Sequence, residues 1–150
     1  MSSIKENLYE QCLRHVRERI KTAEDAIRSA REASESDTKS SAGDKYETSR
    51  EMLQQEISRN ESQLQESRKL LSTLTLLNPH KQYESAAPGA LVNTNRGNFF
   101  LAISAGRLDH NGKTYFALSG SSPIGLKLKG LKAGDRFTFN QHTYIIESVA

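Results

Sequence analysis

Two stretches of the chain carry mostly apolar residues at alternating intervals of three and four, and this spacing constrains the fold most. The first stripe is Leu13, Val16, Ile20, Ala23, Ile27, Ala30 and Ser34; the second is Tyr46, Arg50, Leu53, Ile57, Asn60, Leu64, Ser67, Leu71 and Leu74. Such spacing keeps one face in line along a slightly supercoiled helix. Because residues 2–42 and 44–78 lack Gly and Pro, the pattern predicts two long, unbroken helices.

The two stripes mirror each other about a single point in the chain. If the chain turns at Ser40, facing residues have numbers that total 80. The facing pairs are then Ile27 with Leu53, Ala23 with Ile57, Ile20 with Asn60 and Val16 with Leu64. Both stripes share this fold-back point, so we expect residues 1–78 to form an antiparallel coiled-coil hairpin with its tip near 37–44. Each arm would extend about 50 Å at ~1.5 Å per residue.

The segment between the stripes is short and polar, and acidic residues lie on both sides of it. Asp37 or Thr38 is expected to end the first helix, and Gly43 and Asp44 mark the start of the second. Asp44 and Glu47 match a D-x-x-E capping pattern, so one interpretation is simple helix-end chemistry. The other is that Asp37 and Asp44 present carboxylates to a divalent metal ion or to a basic partner. The residues leave both open.

After residue 78 the pattern changes from helical to strand-like. We expect a linker over 79–89 and a compact unit over 90–150, with strands at 90–94, 98–104, 114–119, 136–140 and 143–149. Asn111–Gly112 is typical of a tight hairpin turn. Ser122 before Pro123 predicts the start of one short helix, which Gly130 can end. The pattern indicates a small antiparallel sheet around that helix, and hence an α+β protein.

Charge and composition narrow the function. The net charge of +3 lies entirely in residues 84–150, which hold seven basic and four acidic side chains; residues 1–83 hold fourteen of each. This is mild for a nucleic-acid-binding protein, and we expect no direct sequence-specific contact with nucleic acid. No apolar run is typical of a signal peptide or a membrane span, so a cytoplasmic protein without membrane contact is expected. The single cysteine, Cys12, is interpreted as a packing residue.

The C-terminal motif "SPIGLKLKGLKAGD" (122–135), followed by two short strands, resembles the end of the Gre-type transcription elongation factors. The order of the predicted parts is also that of the family, with a coiled-coil hairpin first and an FKBP-like globular domain second. The resemblance implies a partner, RNA polymerase, whose secondary channel the hairpin would enter. The candidate docking residues are Ser122, Pro123, Ile124, Gly125, Lys127, Lys129, Lys132 and Asp135.

At the tip, Tyr46, Arg50 and Glu51 fit the signature of this family, whereas its two acidic positions fall on Lys39 and Ala42. In the family, tip carboxylates help to hold a second Mg²⁺ at the polymerase active centre, where backtracked RNA is cleaved. The resemblance thus implies that Asp37 and Asp44 are the candidate metal ligands, and only in the complex with the polymerase.

The resemblance implies a factor that modulates elongation or stimulates cleavage, with no cofactor of its own and no intrinsic enzymatic activity. The alternative is a non-catalytic coiled-coil adaptor unrelated to transcription. An FKBP-like domain would also suggest prolyl isomerase activity. The aromatic residues of 90–150 are, however, interpreted more simply as parts of the core and of one sheet face. The sequence leaves the oligomeric state and the angle between the two parts open.

Overall fold

The computed structural model describes residues 4–40 and 44–150, and for residues 36–40 and 44–46 it describes only the backbone. The chain is α+β, with two long helices followed by a six-stranded sheet and one short helix. The helices are α1 Ile4–Ser40, α2 Asp44–Thr75 and α3 Pro123–Leu128. The strands are β1 Leu91–Thr94, β2 Gly97–Leu101, β3 Gly106–His110, β4 Lys113–Leu118, β5 Arg136–Phe139 and β6 His142–Val149.

The chain forms two compact units. The helical unit is Val16–Leu71, and the sheet unit combines Met1–His15 with Ser72–Ala150. The first turns of α1 and the last turn of α2 are therefore parts of the sheet unit.

In the helical unit the predicted stripes are the buried faces of α1 and α2. Its buried side chains are Val16, Ala23, Ile27, Ala30, Ile57 and Ser67. Ile20, Leu53 and Leu64 are half-buried, and Arg50 is an exception because it is exposed. The three-and-four spacing thus predicted the buried positions correctly, since residues at these intervals lie on one side of a helix.

The turn was expected at Ser40, but α1 continues through Ser40; α2 begins at Asp44, so both helix ends lie within the expected tip at 37–44. The expected end of α1 at Asp37 or Thr38 is wrong for the same reason. No Gly or Pro precedes Gly43, and polar residues cost a helix only a few tenths of a kcal/mol each. The expected start of α2 at Asp44 is confirmed.

The contacts between α1 and α2 agree only in part with the predicted pairs, since Leu53 packs against the cluster that holds Ile27. Ile27, Ala30 and Ile57 form one apolar cluster, with Leu53 and Leu64 packed against it. Two ion pairs flank this cluster: Arg31–Glu61 at 3.1 Å and Glu24–Arg68 at 3.3 Å. From Glu24 to Arg31 in α1, the residue number of the ion-pair partner in α2 decreases from 68 to 61, as in two antiparallel helices. Each ion pair totals 92 instead of 80, so neither pair fits the register that a turn at Ser40 would give.

The sheet has the strand order β3-β4-β2-β1-β6-β5 and is mixed. The prediction of an antiparallel sheet is wrong at one pair, because β2 and β4 run parallel, with Phe99 beside Phe116 and Leu101 beside Leu118. The hairpin of β3 and β4 causes this. It places β3 at the edge and returns β4 next to β2. The strand β3 was not among the predicted strands.

Two tight loops shape the hairpins of the sheet. Asn111 and Gly112 have φ values of 50° and 81°, which confirms the predicted turn between β3 and β4. The loop between β5 and β6 consists of Asn140 and Gln141, with φ values of 50° and 66°. Positive φ at both loop residues matches the twist of the flanking strands.

The first turns of α1 are tied to the rest of the sheet unit by hydrogen bonds to backbone carbonyls. The Lys5 ammonium donates to the carbonyl of Lys81, and the Tyr9 hydroxyl donates to that of Leu74 at 2.7 Å. The Gln11 amide donates to the carbonyl of Asp109 in β3 at 2.9 Å. These contacts join the start of α1 to the end of α2, the following segment and the sheet edge.

Candidate docking surface

Helix α3 begins at a hydroxyl cap. The Ser122 Oγ accepts a hydrogen bond from the Gly125 N–H at 3.1 Å and donates one to the Ser119 carbonyl at 2.7 Å. Pro123 occupies the first turn, where its missing N–H removes no helical hydrogen bond. The predicted cap is therefore confirmed. Gly130, with φ of 80°, follows the residue that ends the helix.

Gly125 lets α3 lie close to the preceding loop. A Cβ added at this position would lie 2.2 Å from the Ser119 carbonyl oxygen and 2.9 Å from the Ser122 Oγ. Ile124 packs against the apolar core, and Leu128 is part of that core. Ser122, Ile124 and Gly125, which were predicted to dock, thus hold α3 in place.

Asp135 likewise has a structural role. Its carboxylate accepts a hydrogen bond from the Lys132 N–H at 2.8 Å, and its own N–H donates to the Lys132 carbonyl at 3.0 Å. Its carbonyl accepts from the Ile146 N–H at 2.8 Å. These bonds close the turn before β5 and join it to β6.

The remaining predicted docking residues are exposed: Pro123, Lys127, Lys129 and Lys132. Leu126 lies among them in the chain with 62% of its surface exposed. We call Pro123, Leu126, Lys127, Lys129 and Lys132 the α3 surface. None of its three lysines forms an ion pair with a residue that the structure describes. The exposed side chains of the α3 surface are therefore candidates for contact with a partner.

Sequence reasoning missed Leu126. Ile124 and Leu128 are four residues apart, so both lie on the inner side of α3, and Leu126 lies halfway between them on the outer side. That spacing was visible in the motif. It indicates that the motif has an inner set of residues that pack and an outer set that is exposed.

The aromatic residues of the sheet pack on one another. Phe137 and Tyr144 are stacked with ring centroids 4.8 Å apart, and Phe99 lies 6.3 Å from both Tyr144 and Phe116. Phe99 is buried in the core, and Phe116 is 40% exposed at the end of this row. The rings contact each other as parts of a core and sheet face, as expected.

Most of the predicted tip residues have no described side chain. The side chains of Asp37, Lys39, Asp44 and Tyr46, together with Ala42, lie outside the described residues. Arg50 and Glu51 are exposed on α2. Within 4–35 and 47–150, no three His, Cys, Asp or Glu side chains form a group that could hold a metal ion. The predicted carboxylate pair therefore stays a prediction.

Two buried groups of the sheet unit have shifted pKa values. Burial raises the pKa of the Cys12 thiol to about 12, so the thiol stays protonated and the interpretation as a packing residue is confirmed. Lys5 is only 2% exposed, and burial lowers the pKa of its ammonium group. Its Nζ lies 4.7 Å from the centroid of the Tyr83 ring, with the Lys81 Nζ at 5.1 Å from the same ring. No sequence pattern predicted this cluster.

None of the described helices combines the length and apolar character that crossing a membrane requires. Comparison with known proteins finds no matching family model and no significantly similar curated protein.

Proposed function

We propose that the protein is an accessory factor of RNA polymerase that binds the polymerase through the α3 surface. The observation that carries the proposal is the exposed Leu126 on a helix that Ser122 and Gly125 fix, with three lysines nearby in the chain that form no ion pair with a described residue. Such a surface suits an acidic partner surface that contains a hydrophobic pocket. Charges at the rim of an interface steer association, and a central apolar side chain contributes affinity.

In this proposal the sheet unit is an FKBP-like domain, and α1 and α2 form an antiparallel coiled-coil hairpin that enters the secondary channel. The falling partner numbers of the two ion pairs and the buried three-and-four stripes support the hairpin. With 37 residues in α1 and 32 in α2, the helices are about 55 Å and 48 Å long at ~1.5 Å per residue. The link to transcription rests on the motif of residues 122–135 and is an analogy.

A binding assay with purified core RNA polymerase tests the proposal. The wild-type chain should bind, and Leu126→Asp should weaken binding by about tenfold or more, since it removes the apolar anchor and adds a charge of the wrong sign. Lys127→Glu should weaken binding less. Lys113→Glu is the matched control, because Lys113 is exposed at the start of β4, outside the α3 surface. Equal effects of the two lysine variants would contradict the assignment of the surface.

Transcript cleavage is a separate question about the tip. Stalled, backtracked complexes with Mg²⁺ should release short 3′ RNA fragments faster when the protein is added, if Asp37 and Asp44 help to hold the metal ion. Asp37→Asn and Asp44→Asn should then slow cleavage while binding is unchanged. If the wild-type chain binds without accelerating cleavage, the protein modulates elongation only.

One observation favours the second candidate function, an adaptor unrelated to transcription. Met52 is 65% exposed on α2, and an exposed, adaptable side chain of this kind suits contact with another helix. The adaptor would bind no polymerase. Its partner binding should be sensitive to Met52→Lys and insensitive to Leu126→Asp.

A further inference from the structure

The two edges of the sheet differ at one outward backbone group. At the β3 edge, the side-chain amide of Gln11 donates a hydrogen bond to the Asp109 carbonyl at 2.9 Å. At the β5 edge, no described residue donates to or accepts from the outward backbone groups of the strand. An edge with free N–H and C=O groups can pair with another extended chain.

The register shows which backbone groups of β5 are free. Phe139 pairs with His142 across a two-residue loop, and such a closing pair is hydrogen-bonded within the hairpin. Hydrogen bonding between the two strands then alternates along β5, so the backbone N–H and C=O groups of Phe137 also point toward β6. The Asp135 carbonyl, which accepts a hydrogen bond from the Ile146 N–H, agrees with this alternation. The N–H and C=O groups of Arg136 and Thr138 therefore point outward. Both residues are exposed.

The side chains of β5 differ between the two faces of the sheet. Phe137 and Phe139 are half-buried on one face, and Phe137 is stacked on Tyr144. Arg136 and Thr138 lie on the opposite face, because side chains alternate along a strand. A chain added at this edge would place every second side chain beside the aromatic rings and the others beside Arg136.

The charges around this edge favour an acidic chain. Arg136 follows closely after Lys132, and like that residue it forms no ion pair with any residue in the described part of the chain. The only acidic residue near it in sequence, Asp135, accepts the Lys132 N–H in the turn before β5. Opposite charges across paired strands are favourable, and like charges are unfavourable.

We propose that the β5 edge binds an extended segment of a partner protein in which acidic and apolar residues alternate, as a seventh strand of the sheet. The backbone groups of Arg136 and Thr138 would supply the hydrogen bonds, the rings of Phe137 and Phe139 the apolar contact, and Arg136 with Lys132 the charge preference. A second copy of β5 suits this edge less well, since it would bring the same basic residues together. The proposal does not depend on the partner being RNA polymerase.

Amide NMR spectra of the full-length, ¹⁵N-labelled chain test the proposal with two capped hexapeptides. One alternates Val and Glu, and the other alternates Val and Lys. The acidic peptide should shift the amide signals of Arg136 and Thr138 in a saturable way, and the basic peptide should bind at least about tenfold more weakly. No saturable shift with the acidic peptide, or equal binding of both peptides, would overturn the proposal.

Two variants locate the binding. Thr138→Pro removes an outward N–H that the hairpin does not use, and an edge strand tolerates proline, so binding should weaken about tenfold while the other amide signals stay in place. Thr138→Val is the matched control and should bind as the wild type does. Arg136→Glu keeps the backbone and should reverse the preference between the peptides.

Sedimentation of the chain alone supplies the competing outcome. A dimer that Thr138→Pro dissociates would show that the edge pairs with a second copy, and would overturn the acidic partner. If Thr138→Pro itself disturbs the spectrum, Arg136→Glu decides: unchanged peptide preference in that variant would also overturn the proposal.

Discussion

The helical unit and the sheet unit are stabilised in different ways. In Val16–Leu71 the buried residues form one narrow seam, two of them alanines, and ion pairs lie on its exposed flanks. In the sheet unit, large side chains are fully buried, among them Phe100, Leu101, Ile103, Leu128 and Ile146. Because buried apolar area contributes most of the stability of a domain, the sheet unit should be the more stable of the two.

The same difference explains why a linear pattern describes one unit better than the other. Each helix closes its hydrogen bonds locally, so a three-and-four spacing is enough to show which side is buried. The position of a strand in a sheet depends on partners far away in the chain. The parallel pairing of β2 with β4 has no counterpart in the spacing of residues within either strand.

The largest expected effect tests the difference in core size. Phe100→Ala should lower the free energy of opening of sheet-unit amides by about 4 kcal/mol, because it leaves a large cavity. Ile57→Ala should lower that of helical-unit amides by only about 2 kcal/mol, since its seam is narrow and can partly collapse. Native-state hydrogen exchange measures both units in one experiment. Phe116→Ala is the control for ring removal, as Phe116 is 40% exposed and should cost less. Equal losses at Phe100 and Ile57 would contradict the comparison.

The next effect tests the close approach between Gly125 and the Ser119 backbone in the sheet unit. Gly125→Ala should destabilise this unit by about 3 kcal/mol, because the new methyl group would lie 2.2 Å from the Ser119 carbonyl oxygen. Gly120→Ala is the matched control. An added Cβ there meets nothing within 4 Å, so the change should stay within about 0.5 kcal/mol of the wild type. Urea unfolding followed by circular dichroism measures the pair, and a mild effect of Gly125→Ala would show that α3 can shift.

These two glycines show how far sequence reasoning reached. The α+β class, the buried stripes, the Ser122 cap and the Asn111–Gly112 turn were predictable, because each depends on residues within about one helical turn of each other. The close approach at Gly125, the burial of Lys5 and the outward position of Leu126 depend on how elements pack. For the candidate site, the motif predicted the helix and its cap without separating the residues that pack from the residues that are exposed.

A smaller, pH-dependent effect tests the buried ammonium of Lys5. Burial lowers its pKa, so between the lowered value and the ordinary 10.5 the unfolded chain binds more protons than the folded one. The contribution of Lys5 to stability should therefore increase as the pH rises through this window. Lys5→Met has no ammonium group, so the stability of the wild type relative to Lys5→Met should increase as the pH rises toward 10.5.

Urea unfolding of both proteins at several pH values measures this difference. Lys21→Met is the control, since Lys21 is exposed on α1 and should show no such trend. A constant or shrinking difference for Lys5→Met would mean that the ammonium is stabilised, not penalised, by its surroundings.

The smallest expected effect tests the pairing of α1 with α2. Arg31 and Glu61 are both largely exposed, so a double-mutant cycle with Arg31→Gln and Glu61→Gln should give a coupling energy of about 0.5 kcal/mol that decreases at high salt. The pair Arg31 and Glu51 is the control and should show no coupling. In a register that turns at Ser40, Glu51 would be closer to Arg31 than Glu61 is. Reversing both charges together, Arg31→Glu with Glu61→Arg, should restore most of the stability that either reversal loses. Coupling at Glu51 instead of Glu61 would contradict the observed pairing of α1 with α2.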